Sequence, residues 1–166
     1  DLGKAIAAYL LREGNKNINL GRDCRLSSTR LCDALRQGLL SSGCGVTDIG
    51  VVPSPLLYYS VYRLQAEGAV MITGSHIPFE RNGYKTNTAK GELLKKDEAP
   101  ISARVEQVRH RLYAQPYSES LFDRQGQFKC GHQELAPEDG AGRAAYLHRY
   151  LEFFEGQSLA GKRLLA

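Results

Sequence analysis

The sequence predicts an α/β fold, with a mainly parallel or mixed sheet flanked by helices in a three-layer α/β/α arrangement. Two observations predict it. Short apolar runs alternate with helical segments three times within roughly the first 75 residues, the pattern of strand–helix units that build parallel sheets. The third run, residues 68–73 (GAVMIT), is apolar at nearly every position, as expected for a strand that is buried on both faces.

Local residue choices define the predicted elements. Residues 3–12 are rich in Ala and Leu and are followed by Gly14, which is typical of a helix and its C-terminal stop. Ser27 and Ser28 are candidate N-caps of a second helix, which ends at Gly43. The predicted strands are residues 18–21, 46–52 and 68–73, and the later predicted helices are residues 56–64, residues 95–112 and a segment from Pro137 to about Phe154.

The C-terminal part of the chain is less regular. Residues 121–130 are interpreted as a hairpin that turns at Gln125 and Gly126. Residues 1–155 are predicted to form one domain, and residues 156–166 a linker with the start of a truncated second domain. The last helix carries an aromatic side, which consists of Tyr146, Tyr150, Phe153 and Phe154.

Composition excludes several classes of protein. The 166 residues carry a net charge of +4, but the basic residues are scattered, whereas a nucleic-acid-binding face would cluster them. No apolar run approaches the ~20 residues that span a bilayer. The four cysteines form no Cys-x-x-Cys pair, which favours reduced thiols and a cytoplasmic protein over a zinc site. We therefore expect neither nucleic acid nor membrane as a partner.

The loop after the third strand holds the most informative residues. The strand delivers Gly74, Ser75 and His76 to its carboxyl end, the edge where open α/β sheets bind ligands. Gly74 is expected to allow close backbone approach and an unusual φ, so that the Ser75 hydroxyl is presented on a tight turn. A hydroxyl beside an imidazole suits nucleophilic or phosphoryl chemistry.

A second turn follows in the same loop. Asn82 and Gly83 are predicted to return Lys85 towards Ser75. Ser-His pairs in loops are common, however, and the residues alone favour a capping serine beside a solvated histidine.

Four motifs in order resemble one family. The Thr-Gly-Ser-His of residues 73–76, followed by Pro78 and the Asn-Gly-x-Lys of residues 82–85, is similar to the phosphoserine loop of the α-D-phosphohexomutases. Gly-Arg-Asp-x-Arg begins at Gly21, and a Val-Pro-Ser-Pro stretch begins at Val52. A Gly-Glu pair follows at residues 91 and 92, so that the resemblance covers about residues 3–112.

The resemblance implies a mechanism and a fold, that of domain I of this family. A phosphorylated hexose would exchange its phosphoryl group with Ser75, with Mg²⁺ bound through the serine phosphate, so that hexose 1- and 6-phosphates interconvert through a bisphosphate. The Thr-Gly before Ser75 resembles the phosphomannomutase/phosphoglucomutase branch. The implied catalytic residues are Ser75, His76 and Lys85, and the implied loop supports are Asp23, Arg25, Gly74 and Asn82.

The sequence also departs from the family pattern. Ile77 stands where the family usually has Asn, which removes a polar loop contact and is interpreted as a subfamily variant. The family's Tyr-Asp-Ile-Arg-Gly and Asp-Gly-Asp-Gly-Asp-Arg segments are absent, and residues 138–143 are interpreted as a polar turn at the start of a helix instead. We therefore expect the first domain of a four-domain enzyme, inactive alone. The alternative is a non-catalytic α/β module that binds a phosphorylated ligand.

Overall fold

The computed structural model describes residues 1–120, 122–125, 129 and 136–163. The described part contains a five-stranded sheet with helices on both faces. The strands are β1 (Asn17–Arg22), β2 (Gly45–Val51), β3 (Gly68–Ile72), β4 (Tyr84–Thr88) and β5 (Gly91–Glu92). The helices are α1 (Leu2–Arg12), α2 (Ser28–Leu40), α3 (Ser54–Arg63), α4 (Lys95–Tyr113) and α5 (Ala141–Phe153).

The sheet is mixed, with the strand order β2-β1-β3-β4-β5. The strands β2, β1 and β3 run parallel, which confirms the predicted strand–helix units. The strand β4 pairs antiparallel with β3, with Tyr84 opposite Ile72 and Thr88 opposite Gly68, and β5 completes a hairpin. This hairpin was not predicted, because β4 (YKTNT) has no fully apolar run and is only half-buried.

Two apolar clusters lie on opposite faces of the sheet and form the core. Because successive side chains of a strand point to opposite faces, Val70 and Ile72 pack with α1 and α2, whereas Ala69 and Met71 pack with α3. All five residues of β3 are buried, as the sequence predicts for a central strand. The fold is therefore the expected α/β/α sandwich, and β3 is its centre.

Polar contacts add to the apolar packing of α4, in which Ile101 lies against the first cluster and Val108 is buried. The helix α4 lies along α1, where the Tyr9 hydroxyl donates to Asp97 at 3.0 Å and Arg109 forms an ion pair with Asp1 at 3.0 Å. The helix α3 starts at Ser54, two residues before the predicted position, because a proline is accepted in the first turn of a helix. No helix of the described residues is long and apolar enough to cross a membrane.

The helix α5 starts later than predicted, at Ala141 rather than Pro137. Asp139 accepts a hydrogen bond from the Ala141 amide at 2.7 Å, which stops the preceding segment from joining the helix. Tyr146 packs edge-on against Tyr59 of α3, with ring centroids 5.6 Å apart. The predicted aromatic side is only partly covered, since Phe153 is 78% exposed. Half of the residues of the predicted hairpin at 121–130, including Gly126 of its turn, lie outside the described residues.

Candidate functional site

Ser75 lies on an exposed loop directly after β3. Its φ is +50°, a left-handed conformation that is costly for a residue with a side chain. Its amide donates to the Thr73 hydroxyl at 2.9 Å, and its Oγ lies 3.3 Å from Nδ1 of His76. The sequence analysis assigned the unusual φ to Gly74. That assignment was wrong, because the φ of Gly74 lies outside the left-handed region and the serine itself takes the strained position.

The side chain of Arg25 holds the Ser75 loop by hydrogen bonds to the backbone of the loop. Its guanidinium group donates to four carbonyl oxygens of the loop, at distances between 2.7 and 3.1 Å. These carbonyls belong to Ser75, Ile77, Pro78 and Arg81. A guanidinium group carries five N–H donors in a planar fork, and a single side chain of this type can therefore fix the shape of an entire loop.

The close packing of Arg25 explains why residue 74 is a glycine. A Cβ placed on Gly74 would lie 2.5 Å from Cζ and 2.6 Å from Nε of Arg25. A side chain at residue 74 would therefore require the Arg25 guanidinium group to move out of its hydrogen-bonded position. The close backbone approach expected at this glycine is therefore present, and the group that approaches is a protein guanidinium.

Asp23 connects Arg25 to the start of the loop. Its carboxylate accepts from Nε of Arg25 at 3.1 Å, from the amide of Gly74 at 3.2 Å and from the hydroxyl of Ser28. Burial by itself raises the pKa of this carboxyl group, but hydrogen bonds from Ser28, Arg25, Thr73 and Gly74 outweigh it and lower the pKa. Asp23 is thus held as a carboxylate.

Asn82 fastens the other end of the loop to α2. Its side-chain amide donates to the hydroxyls of Ser27 at 3.0 Å and Ser28 at 2.8 Å, and its carbonyl accepts from the Gly83 amide at 2.9 Å. Ser27 occupies the N-cap position of α2, as predicted, but its side chain makes no capping hydrogen bond. The N-terminus of α2 therefore serves as a fixed support for the loop.

Lys85 lies in β4, opposite Met71 of β3. It is half-buried, and within the described part of the chain its ammonium group is recorded in no hydrogen bond or ion pair. The structure therefore brings Ser75 and His76 together, but places Lys85 on the neighbouring strand without a direct contact to either.

Ile77 contributes its backbone to the loop. Its amide donates to the Gly74 carbonyl at 2.9 Å, its carbonyl accepts from Arg25 at 3.0 Å, and its side chain is 36% exposed. The loop is thus closed by backbone groups that any residue at this position supplies.

A buried charge cluster next to the loop was not found from the sequence. Arg22 and Arg36 both form ion pairs with Asp48, at 3.1 and 3.3 Å, and all three side chains are at most 10% exposed. Arg22 also pairs with Glu138. The only sequence signal was the presence of charged residues inside strand-like runs, at the end of β1 and within β2.

The charge cluster anchors residues 136–140 along the edge strand β2. The Asp139 amide donates to the Asp48 carbonyl at 2.6 Å, and Arg36 donates to the Ala136 carbonyl. Gly50, with a φ of +82°, leaves room for Glu138, because a Cβ there would lie 2.5 Å from its carboxylate. Glu138 is thus committed to an ion pair, and residues 141–143 form the first turn of α5, so the predicted polar segment lies at the start of a helix.

Comparison with known proteins places these features in context. Residues 1–111 match the family model described as phosphoglucomutase/phosphomannomutase, alpha/beta/alpha domain I. The chain is 45% identical over 84 residues to a phosphomannomutase/phosphoglucomutase of Pseudomonas putida, covering 51% of this chain and 18% of that protein. It is 41% identical over 102 residues to a phosphoglucomutase/phosphomannomutase of Thermococcus kodakarensis, covering 60% of this chain and 22% of that protein. The chain thus spans about a fifth of the length of these relatives.

Solved structures show the same relationship. A phosphoglucomutase/phosphomannomutase family protein from Burkholderia thailandensis superimposes with a TM-score of 0.60 at 27% identity, covering 65% of this chain and 25% of that one. A structure described as a putative phosphomannomutase, from Thermus thermophilus, gives a TM-score of 0.58 at 33% identity, covering 63% of this chain and 24% of that one.

Proposed function

Because the chain belongs to the phosphoglucomutase/phosphomannomutase family, as its α/β/α domain I, we propose that it is the phosphoserine-bearing domain of a hexose phosphate mutase. The full enzyme interconverts hexose 1-phosphate and hexose 6-phosphate through a bisphosphate intermediate. The isolated domain folds but does not turn over substrate, since the matched segment covers only about a fifth of the length of the relatives.

The presentation of Ser75 is the observation that carries the proposal. A residue held at a φ of +50° on an exposed loop is strained, and the contacts of Arg25 and Asp23 maintain that strain. Arg25 gives its donors to backbone carbonyls and not to the Ser75 hydroxyl, and Ser75 is exposed to solvent. This is the arrangement needed by a group that must carry a phosphoryl group to a substrate.

The proposed step is a phosphoryl transfer from Ser75. The bond between Ser75 Oγ and phosphorus breaks as a hydroxyl oxygen of the hexose phosphate bonds to the phosphorus. The proton of that hydroxyl passes to a base, and the departing Ser75 oxygen takes up a proton, so that no proton is gained or lost overall. After the bisphosphate intermediate has reoriented in the site, it transfers its other phosphoryl group to Ser75, which restores the phosphoserine. We assign the proton transfer to Lys85, and to His76 the orientation of the serine oxygen across 3.3 Å.

Mg²⁺ is part of the proposal, as the ion that neutralises charge on the phosphoryl oxygens. The residues that the structure describes contain no group of three or more His, Cys, Asp or Glu side chains that could hold a metal ion. They do not form a metal site by themselves, and this chain would supply only the Ser75 phosphate as a ligand.

We further propose that the domain extends to about residue 155, since α5 packs on α3 whereas residues 156–163 are exposed.

Within the described residues, Cys24, Cys32 and Cys44 carry free thiols, which supports a cytoplasmic location.

Phosphorylation at Ser75 tests the proposed function. The full-length protein that contains this chain is incubated with a hexose 1,6-bisphosphate and Mg²⁺, and intact mass and peptide mapping locate any added phosphoryl group. We expect phosphate on Ser75, no phosphate and no mutase activity in Ser75→Ala, and normal behaviour in Ser102→Ala on the exposed surface of α4. Full activity in Ser75→Ala would refute the proposal and favour a non-catalytic module that binds a phosphorylated ligand.

A further inference from the structure

A cavity of about 490 Å³ lies between α1, α4 and the turn after α2. Ser41 and Ser42, just beyond the C-terminus of α2, line it, whereas Ser27 and Ser28 at the N-terminus of α2 contact the Ser75 loop through Asn82. The 13 residues of α2 lie between the two, which corresponds to about 20 Å at 1.5 Å per residue. The cavity is therefore separate from the candidate functional site.

The charge of this cavity is entirely positive among the described residues that line it. Lys4 of α1 and Arg104 and Arg111 of α4 contribute three cations, and the remaining lining residues are neutral. In the part of the chain that the structure describes, none of the three forms an ion pair. Arg104 donates only to the neutral amide of Gln107, at 3.0 Å.

The neighbouring Arg109, also on α4, differs from the three cations of the cavity because it has carboxylate partners. Arg109 forms ion pairs with Asp1 and with Glu106, both at 3.0 Å. Carboxylates are thus available beside α4, yet they are directed to Arg109 and away from the cavity.

Three cations that share one cavity repel one another when no counter-charge is present, although solvent screens part of this repulsion because Arg104 and Arg111 are exposed. Burial and the nearby charge of Arg111 lower the pKa of Lys4, which is half-buried in the first turn of α1. A cation at that position also opposes the helix dipole. The C-terminus of α2 offers only about half a negative charge, too little to balance three positive ones.

The shape of the cavity fits a small molecule better than a flat partner surface. On α1, Lys4, Ala8 and Leu11 form one face, and on α4 Arg104 and Arg111 are seven residues apart on the facing side. Ala8, Leu11 and the buried Val108 give the cavity an apolar part. Its volume lies within the roughly 300–1,000 Å³ of ligand sites, which combine an apolar lining with a few polar groups.

The geometry points to a second, non-catalytic site on this domain, which binds a small phosphate-bearing metabolite between Lys4, Arg104 and Arg111. The cations provide charge-assisted hydrogen bonds to phosphate oxygens, and the apolar part accepts the carbon skeleton. The site does not depend on Ser75 or on the proposed mutase activity.

Titration of the chain with pyrophosphate at constant ionic strength tests this site. Backbone amide shifts of Ala8, Ser42 and Val108 report on the cavity, and those of Ser75 and His76 on the loop. We expect saturable shifts at the cavity, affinity reduced about tenfold in Lys4→Gln and in Arg111→Gln, and no change in Lys95→Gln at the start of α4. Ser75→Ala should bind as the original chain does.

The unliganded variants provide a second readout. Because each substitution relieves repulsion between like charges, Lys4→Gln and Arg111→Gln should unfold at a temperature no lower than the original chain, which separates loss of binding from loss of folding. The proposal fails if the cavity amides do not respond to pyrophosphate, if sulfate and chloride act equally well, or if Lys95→Gln weakens binding as much as the cavity variants.

Discussion

The guanidinium group of Arg25 occupies the space into which a side chain on Gly74 would project, with 2.5 Å between Cζ and an ideal Cβ. The same group donates hydrogen bonds to four carbonyls of the loop, so that a single side chain both packs against Gly74 and fixes the backbone of the residues that follow it. The strained φ of Ser75 therefore depends on a residue 50 positions earlier in the chain.

Replacement of Gly74 by alanine should displace Arg25. The added methyl group meets the guanidinium carbon, and overpacking of this kind typically costs about 1–3 kcal/mol. We expect a lower free energy of unfolding in urea and a large loss of Ser75 phosphorylation. Gly83→Ala in the same loop is the matched control, because its Cβ would lie 3.4 Å from the Thr73 carbonyl. Equal effects of the two substitutions would contradict the packing argument.

The fork of Arg25 should not be replaceable by another cation. A lysine ammonium has three donors on a flexible stem and cannot reach four carbonyls in a planar arrangement. Arg25→Lys should therefore lose hydrogen-exchange protection at the Ile77 amide, which bonds to Gly74. Arg81→Lys should leave it unchanged, since only the carbonyl of Arg81 takes part. Protection retained in Arg25→Lys would show that charge alone holds the loop.

Much of this arrangement could be predicted from residue types, and some of it could not. The apolar β3 run identified the central strand, and the position of Ser75 at its end followed from the α/β pattern. The hydrogen bonds from Arg25 to the loop could not be predicted in detail, because every residue has a backbone carbonyl and the sequence does not show which of them Arg25 contacts. The hairpin of β4 was missed because its pairing with β3 is a tertiary contact that its polar residues do not reveal.

The charge cluster was missed for a related reason. Arg22 and Asp48 belong to neighbouring parallel strands, and Glu138 reaches them from 116 positions away in the chain. A single sequence does not specify which of its scattered charges meet in the fold. Ser75, His76 and Lys85 were selected through a resemblance, and their catalytic roles remain proposals.

Ile77 should be replaceable by asparagine at little cost. The loop uses the amide and carbonyl of this residue, and the side chain is partly exposed. We expect Ile77→Asn to change the free energy of unfolding by less than about 0.5 kcal/mol, as for most surface substitutions, and to leave Ser75 phosphorylation intact. Pro78→Gly, which frees the backbone beside it, is the contrasting variant. A strong effect of Ile77→Asn would show that the side chain itself shapes the site.

Asp23 should make the stability of the domain depend on pH in the acid range. Its pKa in the folded state is lowered, so the unfolded chain binds its proton first as pH falls from neutrality. Its contribution is thus complete above the unfolded pKa of about 3.9 and is lost as pH falls through the lower folded pKa. Asp23→Asn should flatten the rise of unfolding free energy between about pH 2 and pH 5.

Asp33 provides a control of opposite sign for that measurement. Burial raises the pKa of Asp33, and the charge of Asp48 adds to this despite the opposing charges of Arg22 and Arg36. The folded state therefore takes up this proton more readily than the unfolded chain, and Asp33→Asn should steepen the rise of stability with pH. The assignment to Asp23 is wrong if both substitutions change the slope in the same direction.

Removal of Asp48 should destabilise the domain more than removal of Glu138. Asp48 is 5% exposed and neutralises both Arg22 and Arg36, so Asp48→Asn leaves two buried cations without their shared partner. Breaking a buried pair in this way costs about 3–5 kcal/mol. Glu138 has a side chain that is 54% exposed, and solvent screens its pair with Arg22, so Glu138→Gln should cost no more than about 1 kcal/mol.

The free energies of unfolding in urea of both single variants and of the double variant test this order. The double variant is included because Asp48 and Glu138 share Arg22. Once Asp48 is gone, Glu138 is the remaining recorded acidic partner of Arg22, and its loss should cost more in the Asp48→Asn background than in the original chain. Strictly additive effects would mean that Glu138 does not anchor residues 136–140. These residues would then be held by the backbone bond from Asp139 to Asp48 and by the bond from Arg36 to the Ala136 carbonyl.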